Sequence, residues 1–212
     1  MIETYVKSLK QDSAVFSSFL PILNSVLDIF KFDFALELGP GIYSTPTLLN
    51  IKKTYHIEND EKWYVLLKNS YNFNDDNILI HHKTDSIDDY ISFYNKAIFE
   101  KRFDNYNLKL LMVDHYRYAR KEAINILGNQ FNVILYHDSE FEANNYSQIN
   151  RSVLDNFKKY ELRFSKLPHT GLLINKKLNM KKDIHSITKD KCQEYLDMNN
   201  LNDNEVELYE VK

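Results

Sequence analysis

The sequence is poor in the residues that break or staple a chain. Its 212 residues hold four glycines, four prolines, one tryptophan and one cysteine. A single cysteine, Cys192, excludes an intrachain disulfide and any cysteine-based zinc site, and it suits a reducing compartment. No apolar run approaches the ~20 residues that span a bilayer. Glu3, Lys7, Lys10 and Asp12 interrupt any leader-like apolar stretch near the start. The expectation is a soluble, cytoplasmic chain with no membrane partner. An excess of either charge is also missing. Lys and Arg number 27 against 30 Asp and Glu, a formal charge of −3, so nothing draws the whole chain to nucleic acid. Lys52, Lys53 and the lysine-rich run 177–182 form either a local basic patch or a solvated hairpin. With 43% hydrophobic and 27% charged residues the composition is that of a globular domain rather than a disordered chain. Although 14% of residues are aromatic, no aromatic-basic groove for nucleic acid stands out.

The placement of the few glycines is informative. Gly39 and Gly41 share one loop, and Pro40 and Pro46 lie in or beside it. Such a pair marks a place where backbone must pass close to something. Around this loop, strand and helix patterns alternate. Apolar pairs across residues 15–30 have helical spacing, with Pro21 predicting a kink or a break. Residues 34–38 read as a buried strand, and Ser44-Thr45-Pro46 as a helix start. Further strands are expected at 55–58, 78–81, 110–114 and 133–137. Helices are expected at 60–69, 86–100, 118–127 (closing at Gly128) and 146–160. Residues 162–164 and 172–174 then read as an antiparallel pair, and 186–212 as a peripheral helix with a frayed terminus.

Alternating units of this kind predict an α/β fold. The expected architecture is a Rossmann-like, mostly parallel, seven-stranded sheet with helices on both faces and a C-terminal antiparallel strand pair. The expected division is an N-terminal helical segment (1–33), a nucleoside-binding core (34–176) and a C-terminal tail (177–212).

In open α/β sheets ligands bind beyond the carboxyl ends of the strands. Here the strand ends carry Glu37-Leu38-Gly39-Pro40-Gly41, Glu58-Asn59-Asp60, His81-His82 with Asp85 beyond, Asp114-His115, and His137-Asp138-Ser139. Five polar, mostly acidic endings on one edge look like a site. Glu58 follows Gly39 by 19 positions, close to the ~20-residue spacing at which a carboxylate accepts ribose hydroxyls. The third glycine of a dinucleotide-binding loop is replaced by Ser44, and Glu37 precedes the glycines. A carboxylate there repels pyrophosphate and suits a cationic amino-acid end. S-adenosyl-L-methionine (SAM) has that end, with a ribose and an adenine.

Glu37-x-Gly39-x-Gly41-x-x-Ser44-Thr45 resembles the first motif of class I SAM-dependent methyltransferases. Residues 57–64 resemble the E-H-D-x-x-W-Y segment of one branch of that family. Val113-Asp114 with Arg117 and Arg120, and then His137-Asp138-Ser139-Glu140, are similar to its V-D-G-x-x-R and D-D-S-E segments. The resemblance covers residues 34–175 and implies SAM as cofactor. It implies that Gly39 and Gly41 pass beneath the methionine part, with Glu37 nearby and Ser44 and Thr45 at the helix start. Glu58, followed by Asn59, would hold the ribose, Asp85 the adenine edge, and Asp114 the ammonium or the substrate. Trp63 either packs near the cofactor or fills a helix position in the core. His115 and His137 depart from the family's Gly and Asp.

Methyl transfer to a hydroxyl needs alignment and a proton acceptor. Asp114, His115, His137 and Asp138 are the candidates, each with a purely structural role as the alternative. Asp114, Asp138 and Ser139 also offer hard oxygen ligands that could hold a divalent metal, although no metal is expected. Arg117 and Arg120 lie on one helix face, to grip an anionic substrate or to pair with Glu122 or Asp114. The leading expectation is O-methylation of a small molecule or saccharide. An NAD-dependent oxidoreductase and a non-catalytic nucleoside-binding scaffold, with a homodimer open in each case, remain as rivals.

Overall fold

The computed structural model describes residues 13–84, 86–96, 103–140, 145–180, 182–201 and 204–211, without the side chains of Ser13, Phe16 and Arg117. Eight strands form one sheet. They are β1 (Phe34–Leu38), β2 (Thr54–Glu58), β3 (Asn77–His81), β4 (Lys109–Val113), β5 (Val133–His137), β6 (Phe157–Phe164), β7 (Thr170–Asn175) and β8 (Val206–Val211). Their order is β3-β2-β1-β4-β5-β7-β6-β8. The first five run parallel, while β7, β6 and β8 run antiparallel to their neighbours. The order reverses between β1 and β4, which opens the crevice at the carboxyl edge where such sheets bind ligands.

The helices among the described residues are α1 (Ser13–Ser17), α2 (Leu20–Ile29), α3 (Ser44–Leu48), α4 (Glu61–Ser70), α5 (Ile87–Tyr94), α6 (Arg120–Leu127), α7 (Arg151–Leu154) and α8 (Ile184–Asn199). None is long and apolar enough to cross a membrane. Central strands are buried on both faces, so their apolar residues alternate between two cores. Ala35, Leu110, Met112, Val133 and Leu135 join Ile22, Leu23 and Val26 of α2 and Cys192, Tyr195 and Leu196 of α8. Phe34, Leu36, Leu111, Val113, Ile134 and Tyr136 face Tyr90 and Tyr94 of α5 and Ala123, Ile124 and Leu127 of α6. The sheet is thus covered on both sides, and the flanking segments share its core. Pro21 lies in the first turn of α2, where a missing N–H costs nothing, and it breaks the predicted 15–30 helix in two.

Three expectations change. The segment 146–160 is not one helix: a 3₁₀ turn (Tyr146–Gln148) and the four-residue α7 lead into β6, which starts at Phe157. As an interior strand between β7 and β8, β6 gains hydrogen bonds along both edges, and that outweighs the local helical pattern. The terminus is not frayed, because β8 adds an eighth strand along β6 and packs Val206 and Leu208 against the core. Gly128 follows α6 in a right-handed conformation (φ −54°), so it is not a left-handed cap. Its value is space, since a Cβ there would lie 2.9 Å from Val153. Of the helix expected over 86–100, Ile87–Tyr94 is helical and capped by Ser86, and residues 97–100 lie outside the described residues.

Candidate functional site

The glycine loop after β1 owes its shape to its neighbour on β4. Gly39 has φ +82°, and a Cβ on it would fall 2.5 Å from the backbone of Asp114 and His115. The residue is therefore required by close packing of two strand ends as well as by conformation. Gly41 is different. A Cβ there would meet only Ser44 Oγ at 3.7 Å, and its N–H donates to that oxygen.

A crevice of about 320 Å³ opens over this loop, a size within the ~300–1,000 Å³ range of small-molecule sites. Of the residues singled out from the sequence, Gly39, Gly41, Ser44, Glu58, Asn59, Trp63, Asp114, His115, His137 and Asp138 line it. Glu37 and Thr45 do not line it. Glu37 is fully buried beneath the loop, where its Oε2 accepts from Thr45 Oγ1 at 3.1 Å and pairs with His56 Nδ1 on β2. Its side chain lies on the face of Ala35, under α3, and so supports the loop from below. Asp85 and the side chain of Arg117 lie outside the described residues.

At the end of β2, Glu58 is 5% exposed and still reaches the crevice. Its Oε1 accepts from the backbone N–H groups of Asn59 and Asp60, both at 2.7 Å. Burial nonetheless pushes its carboxyl up to about 7, with the two amides pulling the other way. A carboxylate so placed gains from further donors such as a pair of hydroxyls. Asp60 serves mainly as the cap of α4, accepting from Lys62 and Trp63, a role worth ~1 kcal/mol.

The opposite wall is built by one cation. Arg120, at the start of α6, sends Nε to the carbonyl of His115 (2.8 Å) and NH1 to the carbonyl of His137 (2.7 Å). It also pairs with Asp114 Oδ1 (3.1 Å) and Asp138 Oδ2 (2.6 Å), so one guanidinium joins the ends of β4 and β5. Asp114, His137 and Asp138 converge closely enough to resemble a metal cluster. The positive charge between the two carboxylates is, however, already supplied by Arg120. Ser139 turns away, its hydroxyl donating to Glu161 at 2.9 Å, so it does not join them.

Neither histidine is an idle base. His137 Nδ1 faces Asp114 at 3.2 Å, and Nε2 lies 2.8 Å from Ser18 Oγ, which itself donates to the carbonyl of Pro168. Burial opposes the charged ring, but Asp114 and Asp138 prevail and raise its pKa. His137 is therefore more readily charged than an ordinary imidazole. His115 is the reverse case: burial, helped by Arg120, lowers it to about 3. Its Nε2 is bonded to the Tyr94 hydroxyl, and its Nδ1 has no partner.

Sequence reasoning missed the residues that cover this wall, Val15, Phe19, Tyr116 and Pro168. Phe19 looks like any core residue of an amphipathic helix, and nothing in its local pattern marks it. Ser18, which orients His137 across 119 positions of sequence, carried no signal either.

No protein-family model matches the sequence, and no curated protein matches it. Solved structures do. An inferred methyltransferase from Thermobifida fusca YX aligns over 78% of this chain and 82% of its own, with a TM-score of 0.51 at 8% identity. Human Methyltransferase-like protein 13, in complex with S-adenosyl-L-homocysteine (SAH), aligns over 87% and 91% with a TM-score of 0.49 at 12% identity. N-methyltransferase NodS from Bradyrhizobium japonicum WM9, also with SAH, aligns over 76% and 86% with a TM-score of 0.47 at 10% identity. The fold is the Rossmann-like methyltransferase fold.

Proposed function

We propose that this protein is a SAM-dependent methyltransferase acting on a small molecule. The observation that carries this reading is Glu58, a buried carboxylate raised to about 7. It lines the same crevice as the glycine loop and the Asp114–Arg120–Asp138 wall. SAM supplies an electrophilic methyl group on a sulfonium. Glu58 and Asn59 hold the ribose, Gly39, Gly41 and Ser44 bed the amino-acid end, and Trp63 flanks the nucleoside. The lining carries four carboxylic side chains, Glu58, Asp60, Asp114 and Asp138, against Arg120 and His137, an acidic excess that favours a cationic ligand and opposes the pyrophosphate of a dinucleotide. Arg120 is spent on the two carboxylates opposite and is not available to a phosphate.

The remaining part of the fold positions the acceptor. Residues 34–176 form the cofactor-binding unit, and α1 and α2 bring Val15 and Phe19 over its acceptor side. A hydroxyl or saccharide acceptor, expected from the sequence, requires a base there. Asp114 and Asp138 pair with Arg120, and His137 is bonded to Asp114 and Ser18. His115 is bonded through Nε2 to Tyr94, with its pKa lowered by burial. Calorimetric titration with SAM and, separately, with NAD tests the cofactor. Micromolar SAM binding with no heat from NAD is expected, and NAD binding without SAM binding overturns the reading.

A further inference from the structure

The acceptor wall restricts what can be methylated, given the SAM reading above. A hydroxyl must lose a proton as its oxygen takes the methyl group, so an alcohol or phenol needs a base within reach. An alkylamine reaches neutral solution as an ammonium ion and needs the same base before it has a lone pair to give. Among the described residues on this wall there is no such base. His115 is bonded through Nε2 to Tyr94, and burial keeps it from taking up a proton near neutral pH. His137 has both ring nitrogens engaged, with Asp114 and with Ser18. Asp114 and Asp138 share the Arg120 guanidinium. That pairing also occupies Arg120, the arginine among the described residues of the wall, so it is not open to a carboxylate or phosphate acceptor.

What remains is a nucleophile that is uncharged at neutral pH and carries its lone pair without losing a proton. The surroundings fit a flat ring: Phe19 and Tyr116, with Val15 and Pro168, complete the wall beside the carboxylates. Phe19 is held edge-on to His137 with centroids 5.3 Å apart, and Tyr116 stacks on Tyr90, so both rings are fixed in place. Half-buried carboxylates, with side chains 21% and 20% exposed, beside an aromatic wall favour a flat cation over a neutral or anionic ring of the same size.

We propose that the acceptor is an aromatic ring nitrogen of the pyridine or quinoline type, and that the Asp114–Arg120–Asp138 wall selects it. The nitrogen lone pair forms the new N–C bond and the C–S electron pair returns to sulfur. The sulfonium becomes a thioether and the positive charge moves to the ring nitrogen. No proton is transferred, in keeping with a wall whose described residues offer no base. The carboxylates of Asp114 and Asp138 face the charge as it develops.

Ligand binding tests this independently of turnover. The SAH-saturated protein is titrated with N-methylquinolinium, the flat cationic product type, and with 1-naphthoate and 1-naphthol as anionic and neutral rings of similar size. Binding of N-methylquinolinium at least about tenfold tighter than either comparator is expected, with the preference reduced in both Asp114→Asn and Asp138→Asn. In parallel, mass spectrometry of a mixture with SAM, quinoline and 1-naphthol should find the added methyl on quinoline. SAH binding with naphthoate or naphthol preferred, or with no discrimination, overturns the acceptor assignment and leaves the cofactor reading standing. Methylation of naphthol alone does the same. Failure to bind SAM or SAH overturns the cofactor reading itself, and the acceptor assignment falls with it.

Discussion

Arg120 NH1 lies 2.6 Å from Asp138 Oδ2, and the same guanidinium reaches Asp114 and the carbonyls of His115 and His137. Asp138 sits at φ +54°, a left-handed conformation that a non-glycine residue keeps only when its surroundings hold it there. The arginine contributes to that restraint and ties the ends of β4 and β5 together on this wall of the crevice. Arg120→Met removes the charge while keeping most of the volume, and leaves two carboxylates facing each other. A loss of ~3–5 kcal/mol is expected, the scale for breaking a buried ion pair from one side. Urea denaturation measures it; a loss below ~1 kcal/mol, typical of exposed pairs, shows that the cluster is solvated.

If Glu58 holds the cofactor ribose as proposed, affinity depends on pH. The carboxyl, ordinarily near 4.5, is raised to about 7 by burial, so below that pH the empty crevice presents a protonated acid. An acid can accept fewer hydroxyl hydrogens than a carboxylate, and binding SAM must then expel the proton. Affinity is expected to fall as pH drops from 8 to 6, by up to about tenfold per unit once below the raised value. Glu58→Gln should bind more weakly by ~1–3 kcal/mol at pH 8 and lose the pH dependence. Calorimetry across this range decides it, and an unchanged slope in the variant removes Glu58 from the ribose site.

His137 titrates in the other direction from His115. Its folded pKa lies above the usual 6.5 because Asp114 and Asp138 outweigh the cost of burial. Its contribution to stability is therefore full below the unfolded value and is lost as pH rises through the folded one. NMR of the imidazole nitrogens should show His137 titrating above 6.5 and His115 still neutral at pH 5. Asp114→Asn should bring the His137 titration down; if it does not move, the Asp114 contact is not what sustains the charge.

The two glycines of the loop should respond differently to alanine. Gly39→Ala forces a Cβ to within 2.5 Å of the Asp114–His115 backbone at a positive φ, so β1 and β4 must separate. A cost of ~3 kcal/mol or more is expected. Gly41→Ala meets nothing closer than 3.7 Å, and its thermal midpoint should stay near that of the parent. Differential scanning calorimetry of both variants tests this, and equal effects would mean that the loop does not pack as described.

Removing residues 206–212 tests the terminal strand. β8 pairs along the whole of Phe164 to Lys159, and without it β6 becomes an exposed edge with Leu208 and Val206 uncovered. The truncated chain should lose stability and associate, as read by light scattering. A monomeric chain of unchanged stability would show that β8 is dispensable.

Much of this was legible locally. The strands β1 and β5 are mostly apolar, broken only by Glu37 in β1 and closed by His137 in β5, and they begin and end where the sequence places them. The Gly39–Gly41 loop, Glu58 19 positions on, and the acidic strand ends were read from spacing alone, and they meet at one crevice because parallel strands bring their carboxyl ends to one edge. Local pattern failed where partners far away in sequence decide the state. The first half of β6, 157–160, reads as the end of a helix until β7 and β8 supply hydrogen bonds on both of its edges, while 162–164 reads as strand. Glu37, placed beside the ligand by its motif, is instead drawn beneath the loop by His56 from the neighbouring strand.

The sequence by itself determined the class of fold and which loops border the crevice, because strand periodicity, glycine placement and chain direction are properties of short segments. Only the tertiary structure decided what the site residues do. Whether Asp114 is a base or an ion-pair partner depends on Arg120, and whether His137 takes or keeps a proton depends on Ser18 and Asp114. Protonation and pairing follow from distance and burial, and those exist only once the chain has folded.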